Sequence, residues 1–280
     1  MSNEPSNQGP STQEPSTGGP YGVEVLAFGP HPDDVELFCG GTLLRLADLG
    51  HRTGVVDLTR GELASQGTPE ERAQEAEASS RILGLTFREN LGLPDGFVFP
   101  WSGYEAPAEE AARSHLGKAV EVLRRHRPEL VLLPWIEERH PDHAAAGVLL
   151  TKALFFAGLG KFQTEPAHER FVPRQVLYYE LRHRMTPTFI LDTSQAADRK
   201  RQAIACFGSQ VRRRAGGVPT LVSSPRALEA IEARDRFYGS MIGATHGEPL
   251  RAPNVPGLVD PVAHFRQNPF SEAHFFEALR

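Results

Sequence analysis

The chain has 280 residues, 40% hydrophobic and 23% charged, an ordinary composition for a globular protein with a large core. Its net charge of −5 offers no basic footprint for nucleic acid, and no apolar run reaches the roughly 18 residues of a membrane helix. Two cysteines, Cys39 and Cys206, are too few for a disulfide framework. We expect free thiols in a reducing, cytoplasmic location.

The first 20 residues differ in composition from the rest of the chain. Residues 1–20 contain no aliphatic or aromatic side chain after Met1. They lack the basic and apolar regions of a signal peptide, and they cannot bury enough surface to offset their ordering entropy. We therefore expect a disordered tail over 1–20, a folded domain over 21–250, and a C-terminal extension over 251–280 that packs on the domain or is partly flexible.

Strand and helix patterns alternate along the chain. Short apolar runs predict strands over residues 23–29, 53–59, 88–93, 129–135, 175–180 and 188–192, and segments with helix signals predict helices over 41–50, 68–84, 108–128, 142–158, 194–207 and 225–242. The clearest helix has Thr68 as N-cap, Pro69 at its first position and Gly84 after its end. This alternation predicts an α/β fold with a mostly parallel sheet. Residues 245–280, with five prolines, are expected to form an irregular wrap ending in a short helix over 271–280.

Two short motifs follow two of the predicted strands. The motif HPDD (residues 31–34) comes directly after the first strand, and HPDH (residues 140–143) comes shortly after the strand over 129–135. In open parallel sheets, ligands bind beyond the carboxyl ends of the strands. We therefore expect both motifs to lie at the same edge of one sheet, although they are far apart in the chain.

Three residues of these motifs can form a metal site. His31, Asp34 and His143 supply two imidazoles and one carboxylate, and three protein ligands with an open position is the arrangement of catalytic zinc. The metal lowers the pKa of a bound water to about 7, and ferrous iron is accepted by similar sites. Asp33, beside Asp34, would then be free to act as a base. The sequence thus favours a metal-dependent hydrolase.

Other interpretations stay open at this point. Either motif alone can be a simple turn, and Asp142 can be the N-cap of the helix that carries His143. A metal-dependent binding protein without turnover would need the three ligands but would have no use for Asp33. A nucleotide-binding Rossmann protein has little support, because no G-x-G-x-x-G follows the first strand.

With these motifs in view, the chain resembles the LmbE-like, or PIG-L-like, zinc-dependent N-deacetylases over about residues 23–250. The segments "RENLGLPDG", "ERHPDH" and "SSPRALEAIEARDRFYGSMIGATHGEP" resemble the branch that deacetylates N-acetylglucosaminyl-malate in the biosynthesis of the thiol bacillithiol. The resemblance implies a Rossmann-like three-layer sandwich, a Zn²⁺ cofactor with Fe²⁺ as the alternative, a small anionic sugar substrate, no nucleic-acid or membrane partner, and a homo-oligomer, either a trimer or a hexamer. An inositol-linked glucosamine, a chitooligosaccharide or a thiol conjugate stays open as the substrate.

The resemblance also implies a role for each residue of the two motifs. It matches His31, Asp34 and His143 to the zinc ligands, Asp33 to the general base, and His140 to the residue that stabilises the oxyanion in its protonated form. Asp142 matches the residue that orients His140. Either Asp33 or His140 would protonate the leaving amine, and the sequence does not choose between them.

Two arginines complete the expected site. Arg72 matches a family arginine that reaches the active site, where it would bind a substrate carboxylate, and Arg139 is expected to support the same pocket. On the residues alone, Arg72 is equally well an i,i+3 partner of Glu75. The chain departs from the family pattern at Pro30 and at the Phe-Cys pair of residues 38–39. Both positions would shape the pocket near the metal, so they leave the substrate less defined than the reaction.

Overall fold

A computed structural model describes residues 22–98, 109–212 and 222–267 of the chain. The predicted tail over 1–20 and the predicted helix over 271–280 lie outside the described residues. None of the helices in these three ranges has the length and apolar character needed to cross a membrane.

The described residues form a sheet of seven strands surrounded by helices. The strands are β1 (Val25–Gly29), β2 (Thr53–Thr59), β3 (Phe87–Leu93), β4 (Leu130–Pro134), β5 (Gln175–Tyr179), β6 (Phe189–Asp192) and β7 (Gly247–Arg251). The helices are α1 (Asp34–Asp48), α2 (Pro69–Leu83), α3 (Glu109–His126), α4 (Pro141–Ala157), α5 (Ala197–Ala205), α6 (Gly208–Val211), α7 (Pro225–Ser240) and α8 (Pro261–Gln267), with a 3-10 turn at Ser194–Ala196.

The sheet is mostly parallel and is covered on both faces. Its strand order is β3-β2-β1-β4-β5-β7-β6, in which the first five strands run parallel and β7 runs antiparallel to both β5 and β6. Helices α3 and α4 pack on one face, and α1, α2 and α5 pack on the other. The predicted Rossmann-like three-layer sandwich with a mostly parallel sheet is confirmed.

The central strand β1 shows why its sequence is continuously apolar. Val25 and Ala27 point into the core on the α1 side, while Leu26 and Phe28 point into the core on the α3–α4 side. All residues of β1 are buried. A strand covered on both faces cannot alternate apolar and polar side chains, because neither face meets water.

The order of the strands creates a crevice between β1 and β4. From β1 the chain moves outward through β2 to β3, and it then returns to the other side of β1 to form β4. The connections that leave the carboxyl ends of β1 and β4 therefore diverge in opposite directions. Such a switch point is where α/β proteins bind ligands, and it lies directly between the two motifs.

Two predicted elements differ from the structure. Helix α1 begins at Asp34 rather than at residue 41, and Cys39 interrupts it with non-helical dihedral angles. The prediction of an irregular wrap from residue 245 is wrong for its first part, because β7 lies inside the sheet between β5 and β6. Glu248 and Pro249 disguise this strand, since a buried charge and a proline are both unusual in an inner strand.

Candidate metal centre and active site

The turn after β1 sends its two adjacent aspartates to different partners. Asp33 has φ 124° and ψ −26°, a conformation that L-residues rarely adopt and that tends to occur at functional sites. The backbone N–H of Asp34 donates to the carbonyl of His31 over 3.3 Å, which closes the turn. The Asp34 carboxylate contacts histidines, whereas the Asp33 carboxylate contacts Arg72.

The three predicted ligands converge at the switch point. Asp34 Oδ2 lies 3.1 Å from His31 Nδ1 and 3.3 Å from His143 Nε2. All three residues are buried, and each offers a ligand atom within 4.8 Å of the others. Burial raises the pKa of the Asp34 carboxyl. The charges and hydrogen bonds of His143 and His31 outweigh this effect and hold the pKa well below its usual range. Two imidazole nitrogens and one carboxylate oxygen fit a divalent ion such as zinc.

The outer nitrogen of His31 is held by two further carboxylates. His31 Nε2 lies 3.1 Å from Asp95 Oδ1 and 3.3 Å from Asp142 Oδ2. An N–H that donates to carboxylates from Nε2 leaves the Nδ1 lone pair directed at Asp34, and ligating histidines commonly have such partners. Sequence reasoning missed Asp95, whose only signal was its place in "LPDG" directly after β3.

Asp142 does not cap the helix that carries His143. The N-cap of α4 is His140, whose Nδ1 accepts from the backbone N–H of Asp142 over 3.3 Å. The Asp142 carboxylate instead accepts from the backbone N–H groups of Gly96 and Val98, at 2.6 and 3.3 Å, and contacts His31. The N-cap interpretation is therefore wrong. The hydrogen bond that orients His140 comes from the backbone of Asp142 rather than from its carboxylate.

His140 has the environment of a neutral imidazole. Burial, together with the nearby charges of His143 and His31, lowers the pKa of His140. Its ring stacks on that of His143 with centroids 4.5 Å apart. Because Nδ1 accepts a backbone hydrogen bond, the single proton of the neutral ring is on Nε2. The protonated His140 that the resemblance implied stays a prediction.

Arg72 pairs with Asp33 in the buried part of the site. Arg72 Nη2 donates to Asp33 Oδ2 over 3.2 Å. Glu75 accepts from the backbone and hydroxyl of Ser209, each at 2.6 Å, so the alternative pairing of Arg72 with Glu75 is wrong. Burial raises the pKa of Asp33 to about 6, although the charge of Arg72 lowers it. A carboxylate with this pKa can accept and return a proton near neutral pH.

Arg139 lies at the rim of the crevice. It directly precedes His140, is exposed, and donates its backbone N–H to Glu138 Oε1 over 2.6 Å. Its guanidinium has no ion pair or hydrogen bond with any other residue in the described ranges. A solvent-exposed guanidinium beside the candidate metal centre is available to an anionic ligand.

Comparisons with known proteins agree with this site. A family model described as "PIG-L: GlcNAc-PI de-N-acetylase" matches residues 26–154, which contain both motifs. The solved structure of a conserved protein from Thermus thermophilus is 38% identical and has a TM-score of 0.72, covering 85% of this chain and 98% of that one. The chain belongs to the PIG-L/LmbE-like deacetylase family.

Curated members of the family act on different sugars. The diacetylchitobiose deacetylase of Thermococcus kodakarensis is 29% identical over 254 residues, 86% of this chain and 87% of that protein. The 1D-myo-inositol 2-acetamido-2-deoxy-alpha-D-glucopyranoside deacetylase of Kineococcus radiotolerans is 27% identical over 162 residues, 48% of this chain and 45% of that protein. The two relatives thus differ in the sugar that their names give.

Proposed function

We propose that this protein is a zinc-dependent N-deacetylase that converts N-acetylglucosaminyl-malate to glucosaminyl-malate and acetate in bacillithiol biosynthesis. The observation that carries the proposal is the convergence of His31, Asp34 and His143 with the separate carboxylate of Asp33 beside them. A protein that only bound a metal would have no use for a buried, strained base at this position. The curated relatives, which deacetylate N-acetylglucosamine derivatives, support the reaction class.

His31, Asp34 and His143 would hold the metal, which we propose to be Zn²⁺ with Fe²⁺ as the alternative. When bound, the ion supplies Lewis-acid polarisation of the acetamido carbonyl and lowers the pKa of water. Asp95 and Asp142 hold His31 in the tautomer that leaves its Nδ1 lone pair free.

Asp33 is the proposed proton carrier. It takes a proton from the attacking water and returns it to the leaving nitrogen, a role that suits a buried carboxylate with a pKa of about 6. Arg72 keeps the Asp33 carboxylate in position through their hydrogen bond of 3.2 Å. We therefore assign Arg72 to the base rather than to a substrate carboxylate.

His140 is the proposed hydrogen-bond donor to the oxygen of the reacting carbonyl. Its Nδ1 accepts from the Asp142 backbone, so its Nε2–H is directed away from that bond and can donate to the charge that develops on the oxygen. A single donor of this kind is often worth about 3 kcal/mol in the transition state. A neutral donor leaves protonation of the amine to Asp33.

The substrate is the less defined part of the proposal. The exposed guanidinium of Arg139 favours an anionic aglycone such as malate. A neutral chitooligosaccharide is the second candidate, because the Thermococcus kodakarensis relative that covers most of this chain is a diacetylchitobiose deacetylase.

The test is acetate release from N-acetylglucosaminyl-malate and from diacetylchitobiose by the zinc-loaded protein. We expect turnover of the malate conjugate, and a loss of about 10²-fold to 10⁴-fold in kcat for Asp33→Asn at unchanged metal content, since general-base catalysis contributes that much. Asp198→Asn, at an exposed aspartate paired with Arg201, is the control and should keep full activity. Turnover of diacetylchitobiose alone would favour the second candidate substrate, a neutral chitooligosaccharide. No acetate from either sugar, with one metal bound, would contradict the catalytic proposal.

A further inference from the structure

Two loops leave neighbouring strands side by side at the edge of the candidate site. Strands β4 and β5 pair in parallel, and the backbone N–H of Trp135 donates to the Tyr179 carbonyl over 3.0 Å just beyond β4. The loop over 135–140 leads to His140, and the loop over 180–188 leads toward β6. Both therefore begin at the edge of the sheet where the two motifs meet.

A single carboxylate joins these two loops. Glu138 Oε1 accepts from the backbone N–H of Arg139 over 2.6 Å, and Oε2 accepts from the backbone N–H groups of Arg182 and His183 over 2.6 and 3.1 Å. Although burial raises it, these hydrogen bonds hold the pKa of Glu138 below its usual value, with a contribution from the charge of His143. Glu138 is therefore an anionic acceptor close to the candidate metal centre.

A second carboxylate closes the loop after β5 on itself. Glu180 is buried, and its Oε2 accepts from the Met185 backbone N–H over 2.9 Å and from the Tyr238 hydroxyl over 2.6 Å. The segment over 181–185 is thus fixed at both ends, by Glu138 and by Glu180. The backbone of this segment needs little reordering when a ligand binds, which favours affinity.

The two arginines of this segment face different elements. The Arg182 guanidinium lies 5.9 Å from the ring centroid of Phe38, on the first part of α1, which also carries Asp34. The Arg184 guanidinium lies 4.7 Å from the ring centroid of Phe237, on α7. In the described ranges, neither Arg182 nor Arg139 forms an ion pair with a carboxylate. The backbone N–H groups of both arginines are held by the same glutamate, and neither guanidinium has a carboxylate partner in the described ranges.

We propose that Glu138 positions Arg139 and Arg182 as a pair that binds the anionic aglycone of the substrate, a dicarboxylate. Two guanidiniums match two carboxylates in charge and can each bind one bidentately. The inference rests on the proposed function, and it adds Arg182 as a specificity residue and Glu138 as its positioning residue.

Ligand affinity tests the pair without turnover. The zinc-loaded full chain with Asp33→Asn is titrated calorimetrically with N-acetylglucosaminyl-malate and with the methyl glycoside of N-acetylglucosamine, a neutral ligand with the same sugar. In this background, Arg182→Ala should weaken binding of the malate conjugate about tenfold or more, since hydrogen bonds between charged groups are worth that much. Binding of the neutral glycoside should stay within about twofold. Arg184→Ala, two residues away, is the matched control and should change neither affinity.

Glu138→Gln tests the positioning role. It should weaken binding of the malate conjugate and leave binding of the neutral glycoside unchanged. Added salt should lower the affinity for the conjugate less in this variant than in the protein with Glu138 intact, because the two arginines no longer bind the ligand together. If Arg182→Ala and Arg184→Ala bind the malate conjugate equally well, the inference is wrong, whatever the wild type hydrolyses. If the wild type releases no acetate from the conjugate but Arg182→Ala still weakens its binding selectively, the pair is retained and the proposed function fails.

Discussion

Asp33 is held in place by a chain of contacts that ends at a glycine. Its carboxylate accepts from Arg72, and the Arg72 guanidinium fills the space next to Gly61. A Cβ at Gly61 would lie 1.8 Å from Arg72 Nη1, and Gly61 also has a φ of 67°. The loop after β2 therefore needs a residue without a side chain if Arg72 is to reach the base.

The residue-scale prediction is that Gly61→Ala damages catalysis beyond its effect on stability. Gly84, which ends α2, has a φ of 68° and nothing within 4 Å of its would-be Cβ. Both substitutions should cost about 1 kcal/mol of backbone strain, seen in urea unfolding. Only Gly61→Ala should displace Arg72 and lower kcat, by about tenfold or more, in the acetate-release assay. Equal kcat values for the two variants would contradict the positioning role of Arg72.

The break in α1 is stabilised by charged residues from distant elements. At Cys39 the helix departs from regular geometry, so carbonyls before the break and N–H groups after it need other partners. Arg234 of α7 donates to the Leu37 and Phe38 carbonyls over 3.4 and 3.2 Å. Glu248 of β7 accepts from the backbone N–H groups of Gly41 and Thr42, over 2.9 and 2.6 Å. The part of α1 that carries Asp34 is thus fixed by the C-terminal third of the described chain.

The element-scale prediction concerns Glu248, which is fully buried and also pairs with Lys200 over 2.6 Å. Glu248→Gln would place an amide NH₂, itself a donor, against the backbone N–H groups of Gly41 and Thr42. It would also leave Lys200 with one carboxylate partner fewer. We expect a loss of about 2–4 kcal/mol in the free energy of unfolding, measured with urea. The control, Glu77→Gln on the exposed face of α2, removes an i,i+4 pair with Arg81 and should change little. Similar losses in both variants would refute the role given to Glu248.

At the scale of the molecule, the candidate ligands connect the two sides of the switch point. His31 and Asp34 follow β1, while His143 belongs to the helix that follows β4. A bound ion would therefore link segments that are distant in the chain, and it would bind the folded state much better than the unfolded one. Homo-oligomeric assembly and a cytoplasmic location stay predictions.

We predict that zinc raises the midpoint of thermal unfolding and that chelation reverses the rise. At a free concentration 100-fold above Kd, the stabilisation is about 2.7 kcal/mol. The shift should shrink as the pH falls, because protons compete with the metal for the histidine nitrogens. His143→Ala should abolish the shift in differential scanning calorimetry, whereas His51→Ala, at an exposed histidine paired with Glu24, should preserve it. If zinc raises the unfolding midpoint of His143→Ala as much as that of the wild type, His143 is not a metal ligand.

The sequence by itself determined the local features of this protein. The ends of α2 match the prediction because Thr68, Pro69 and Gly84 act within one turn of the helix. The strand β1 was predictable from its continuous apolar run, since burial on both faces leaves a signal in each residue. The residue types of the metal site were visible for a similar reason: one motif follows such a strand directly, and the other follows one shortly after its end.

Only the tertiary structure decided how these parts meet. The pairing of β1 with β4, the place of β7 inside the sheet, and the contacts of Asp95 with His31 and of Glu138 with Arg182 all join residues far apart in the chain. Long-range contacts leave no periodic pattern in a single sequence, since each is satisfied by a partner that local propensity does not specify.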